Sequence, residues 1–77
     1  MDVKISRNHD RNWQATLKDG DVEVETIALP TGEYGAKAAI KWLSDHLRRK
    51  GFRVSDFDPA GRRLADDIWS AEASPAR

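Results

Sequence analysis

Residues 13–51 constrain the fold more than any other stretch, because a hairpin pattern there runs directly into one amphipathic helix. Trp13, Ala15 and Leu17 alternate with Gln14, Thr16 and Lys18, the period-two signal of a half-buried strand. Asp19-Gly20 follows, a pair that tolerates the positive φ of a two-residue type I′ turn. That turn sets an expected register. Lys18 lies opposite Asp21, Leu17 opposite Val22, Thr16 opposite Glu23, Ala15 opposite Val24 and Gln14 opposite Glu25. Apolar pairs then share one face and polar pairs the other. Beyond Thr26 the phase slips to Ile27 and Leu29, which predicts a bulge or bend near Thr26. Pro30 closes the strand.

The spacing predicts a helix over residues 33–50. Thr31 or Gly32 starts it, and Glu33 suits the positive end of its dipole. Ala36, Ile40, Leu43 and Leu47 recur at helical spacing, with Ala39 and Trp42 widening the stripe. Gly51 is the expected residue just past the helix, and Phe52 folds back after it. Val3 and Ile5 mark a short first strand, residues 7–12 a polar loop, and Phe52 and Val54 another strand that Phe57 extends. Asp58-Pro59-Ala60-Gly61 reads two ways. It is the turn of a second hairpin with residues 62–66, or the start of a short helix carrying Leu64 and Ile68. Residues 71–77 offer little to bury and are expected to fray. The expected fold is a small α+β domain over residues 1–70, followed by a disordered tail at 71–77. Its antiparallel sheet has three or four strands in β-β-β-α-β order, packed on one amphipathic helix. A C-terminal hairpin arm or short second helix completes it.

Composition narrows the function classes. The chain has 77 residues and no cysteine, which leaves neither disulfides nor Cys-based zinc sites to reinforce a thin core. Its two histidines lie far apart in sequence, so no metal or other cofactor is expected. No apolar run reaches membrane-spanning length and residues 1–10 lack a signal-peptide core, so a cytoplasmic protein with no membrane partner is expected. Formal net charge is zero but unevenly placed. Residues 1–34 hold four Lys/Arg against seven Asp/Glu, and residues 35–63 hold eight against three. Such a dipolar chain can steer a charged partner. Catalysis is not expected. Ser44, Asp45 and His46 are neighbours on a helix and diverge, His9-Asp10 sits in a loop, and no glycine-rich phosphate loop is present.

Two charged surfaces and one aromatic side chain are the candidate sites. Asp19, Asp21, Glu23 and Glu25 form an acidic face on the hairpin, with alternate carboxylates ~6.6 Å apart by strand rise, of the order of the spacing between phosphates. This face fits a protein partner, either directly or as a nucleic-acid mimic. Lys41, Arg48, Arg49, Lys50 and Arg53, with Arg62 and Arg63, form a basic set that fits phosphates instead. Trp69, near the end of the chain, is a candidate interface anchor for a partner or a second copy.

A sheet packed on one helix resembles, in strand order only, double-stranded-RNA-binding and arm-type DNA-binding domains. The strand, hairpin and helix order is similar to the HicB-like antitoxin fold. Small neutral chains without catalytic residues resemble inhibitors, antitoxins and phage anti-defence proteins such as anti-CRISPRs. The expectation is therefore a non-enzymatic module that binds another protein through its acidic face. Direct DNA or RNA binding through the basic end of the helix is the alternative.

Overall fold

The computed structural model describes residues 1–32, 35–63 and 66–76. Among the described residues, six strands and one helix follow in the order β1 (Asp2–Arg7), β2 (Trp13–Asp19), β3 (Val22–Ala28), α1 (Ala36–Arg49), β4 (Phe52–Val54), β5 (Asp58–Pro59) and β6 (Trp69–Pro75). The class is the expected α+β, but the sheet has six strands rather than three or four. All its pairings are antiparallel, in the order β3-β2-β1-β6-β4, with β5 also pairing with β6.

The β1–β2 connection is the expected polar loop, held by Asn8. The Asn8 side-chain oxygen accepts from the backbone N–H of Asp10 at 2.9 Å and of Asn12 at 3.2 Å. Arg11 takes a positive φ of 66° within that loop. The β2–β3 turn is displaced by one residue from the predicted position. Asp19 pairs with Val22, so Gly20 and Asp21 form the turn. Gly20 has φ +64° and Asp21 is not in the positive region. A glycine first in the turn is the pattern of a type II′ hairpin rather than type I′.

The predicted phase slip is present, earlier than expected. Lys18 pairs with Glu23 and Leu17 with Glu25, so Val24 is the extra residue of a bulge. Behind it Ala15 pairs with Ile27, and the Leu29 N–H donates to the Trp13 carbonyl at 3.0 Å. The predicted pairs of Leu17 with Val22 and Ala15 with Val24 do not form. The reason is parity. Val22 and Val24 cannot share a face with Ile27 and Leu29 without a one-residue slip, and the bulge aligns the latter pair with the buried Ala15 and Trp13.

The helix begins at Ala36 with Gly35 as its cap, not at 33, and Gly35 offers no side-chain cap bond. Glu33, expected at the dipole, lies outside the described residues, as does Leu64. Helix termination follows expectation. Lys50 and Gly51 donate their N–H groups to the Leu47 and Arg48 carbonyls at 3.1 and 3.0 Å, and Gly51 takes φ +93°. Ala39, Leu43 and Leu47 are buried against Val3, Ile5, Trp13, Ala15, Leu17, Leu29 and Ala73 in one core.

The C-terminal third departs most from expectation. Residues 58–61, read as a turn or as the start of a short helix, form neither, and the Leu64 that the helix would carry lies outside the described residues. Asp58 and Pro59 are instead a two-residue strand paired with Ser70 and Trp69. Residues 71–75, expected to fray, are strand instead. β6 pairs with β1 on one side and with β4 and β5 on the other, which makes it a central strand. Its inward residues Trp69, Ala71 and Ala73 share the face of Ile5, Val3 and Val54. Its sequence is rich in small residues, so its strand character comes from pairing on both edges rather than from propensity.

Candidate interaction surfaces

The pleat sorts side chains onto two faces. One carries the core and the helix. The other is open and polar, and opposed residues form rungs across it. The first rung runs Thr26, Thr16, Lys4, Ser70 and Asp58 from β3 to β5. The second runs Glu23, Lys18, Asp2 and Glu72. Ser55 extends it, since its N–H donates to the Glu72 carbonyl and its hydroxyl accepts from the Glu72 N–H, both at 2.9 Å. Between the hairpin end and residues 55–60 this face forms an open groove of about 900 Å³.

The predicted acidic stripe is not one face. Glu23, opposite Lys18, lies on the open side, whereas Glu25, opposite Leu17, lies on the helix side beyond the helix. Asp19 and Asp21 sit at the turn and are exposed. The regular two-residue spacing fails because the bulge at Val24 falls inside the stripe. The Thr26 hydroxyl donates to the Glu23 carboxylate at 2.8 Å. None of the four carboxylates forms an ion pair with a described residue. The same hairpin end exposes Val22 and Val24 by 67% and 57%, the two exposed large apolar side chains among the described residues.

The basic set is divided as well. Asp45 sits among three of its members. It meets Lys41 at 3.2 Å and Arg48 at 3.7 Å, and its backbone carbonyl accepts from Arg49 Nε at 3.3 Å. Arg53 pairs with Ser74 and so faces the open side of the sheet, away from the helix. Arg63 meets Asp66 at 3.5 Å, while Lys50 and Arg62 are exposed without an ion-pair partner among the described residues. Trp69, the predicted anchor, is half-buried and packs against the core, with its indole N–H buried and lacking a hydrogen-bond partner among the described residues. Trp13 is fully buried, and the Arg7 guanidinium lies 4.3 Å from its ring while its Nε meets Asp67 at 3.0 Å. Trp42 stacks on His46 at 5.0 Å.

Sequence reasoning missed half of the acidic surface. Asp2, Asp56, Asp58 and Glu72 line the same groove as Glu23. The alternation of Ser70, Glu72 and Ser74 with alanines was the available signal for it. Among the described residues, no three His, Asp or Glu side chains converge to hold a metal ion. No helix among the described residues is long and apolar enough to cross a membrane. No family model matches the chain, and neither a curated protein nor a solved structure matches it.

Proposed function

We propose that this chain is a non-enzymatic protein-binding module, of the inhibitor, antitoxin or phage anti-defence kind, whose contact surface is the acidic end of the β2–β3 hairpin. The observation that carries the reading is the conjunction at that end of Asp19, Asp21, Glu23 and Glu25 with the exposed Val22 and Val24. Apolar contact supplies affinity at the centre of an interface, and surrounding charge selects a basic partner surface. The basic end of the helix supports nucleic-acid binding less well, because Asp45 already engages Lys41 and Arg48 and the sheet separates Arg53 from both.

The test pairs affinity capture of the cognate partner with a gel-shift titration on single- and double-stranded DNA and RNA. Capture is expected to be lost on replacing Val22 and Val24 by serine, or Asp21 and Glu25 by lysine, with folding unchanged. Nucleic acid bound at ~50 mM salt, released at ~200 mM and lost on replacing Arg48 and Arg49 by glutamate would overturn the reading in favour of phosphate binding.

A further inference from the structure

We infer that the open face of the sheet is a docking groove for a lysine- or arginine-rich segment of a partner protein. This rests on the protein-binding reading above, but uses a different surface that shares Glu23 with the hairpin end. Asp2, Lys4, Thr16, Lys18, Ser70 and Glu72 stand on the floor of the groove, with Glu23 at one margin and Asp56 and Asp58 at the other. Its charged side chains are Asp2, Glu23, Asp56, Asp58 and Glu72 against Lys4 and Lys18. Glu23 stands on β3 and Asp58 on β5, four strand spacings apart, or ~19 Å. That width admits a helix with its side chains, ~10–12 Å across, as well as an extended segment.

The chemistry of the floor selects the occupant. No aromatic side chain among the described residues lines the groove, so bases find nothing there to stack on. The acidic excess repels phosphates, which removes nucleic acid and anionic lipid headgroups together. The rungs raise serine, threonine and charged side chains, so an apolar helix face would leave their polar groups without partners. Metal ions are a poor match too, since no three carboxylates among the described residues converge. Ammonium and guanidinium groups on a flexible chain fit best. They bridge carboxylates set several ångströms apart and donate to the hydroxyls of Thr16 and Ser70 between them. A second copy offering its own basic helix is the competing occupant, but Asp45 already engages Lys41 and Arg48 there.

The experiment titrates the isotopically labelled full chain with a short peptide alternating lysine and serine, following backbone amides by NMR. An aspartate-serine peptide of equal length is the control, and sedimentation reports association state. Shifts are expected along Lys4, Thr16, Ser70 and Glu72. Replacing Asp56 and Asp58 by lysine is expected to weaken binding at least ~10-fold, whereas replacing Asp21 and Glu25 by lysine leaves it within ~3-fold. All four substituted positions are exposed, and the amide spectrum of each variant reports its folding. Shifts confined to Val22 and Val24 would overturn the groove and leave the hairpin reading intact. Equal binding of the acidic peptide, no binding of the basic one, or self-association through the groove would each overturn the proposal. Loss of partner capture in the hairpin variants with basic-peptide binding retained would separate the two surfaces.

Discussion

Ending the chain after Ala71 tests the least expected feature of the fold, the burial of its C-terminal segment in the sheet. The deletion removes the mutual bonds between Met1 and Ala73, each 2.9 Å, in which the terminal amino group and the Ala73 N–H donate to opposite carbonyls. It also removes both bonds between Ser55 and Glu72, and the bond from the Ala76 N–H to the Gly51 carbonyl at 2.9 Å. At ~1 kcal/mol each, these approach ~5 kcal/mol before any apolar area is counted. The buried Ala73 is lost as well, and β4 is left with no strand to pair with. A domain of this length is stable by only ~4–12 kcal/mol. The truncated chain is therefore expected to be largely unfolded at 37 °C, as read by urea titration with far-UV circular dichroism. The same midpoint and slope as the full chain would refute the reasoning, and would mean that the segment frays as its composition suggests. Ala73→Asp is the single-residue counterpart, since it buries a carboxylate opposite Val54, while Ser74→Lys on the open face is expected to be silent.

Leu43→Ala, at a fully buried helix position, is expected to cost about 3 kcal/mol in the same titration. A loss below ~1 kcal/mol would mean that the helix does not cover the core as described. Gly51→Ala meets no neighbouring atom but must hold φ +93°, so its cost is purely conformational, ~1–2 kcal/mol, and an unchanged midpoint would contradict that backbone.

The candidate surface was only partly legible in the residues. Asp19, Asp21, Glu23 and Glu25 were visible as an acidic run, but the same valine-to-isoleucine phase change that announced a bulge left its position open. A bulge two residues later would have kept Glu23 and Glu25 together. At Val24 it sends them to opposite faces. The basic run was visible too, yet the carboxylate that engages it, Asp45, acts through helical i+3 and i−4 neighbours that become partners only once the helix exists.

Local chemistry alone determined the elements whose signals are short-range. Alternation made β1, β2 and β4, helical spacing made α1, and Gly51 ended it. Tertiary structure decided what local signals cannot carry. β6 is a strand because β1 on one side and β4 and β5 on the other satisfy its backbone groups, and no propensity within Trp69–Pro75 encodes such partners, of which β1 lies more than sixty residues away in the chain. The groove exists for the same reason. Asp2, Glu23, Asp58 and Glu72 are scattered through the sequence, and only long-range strand pairing, set by burial of the opposite face, brings them onto one surface.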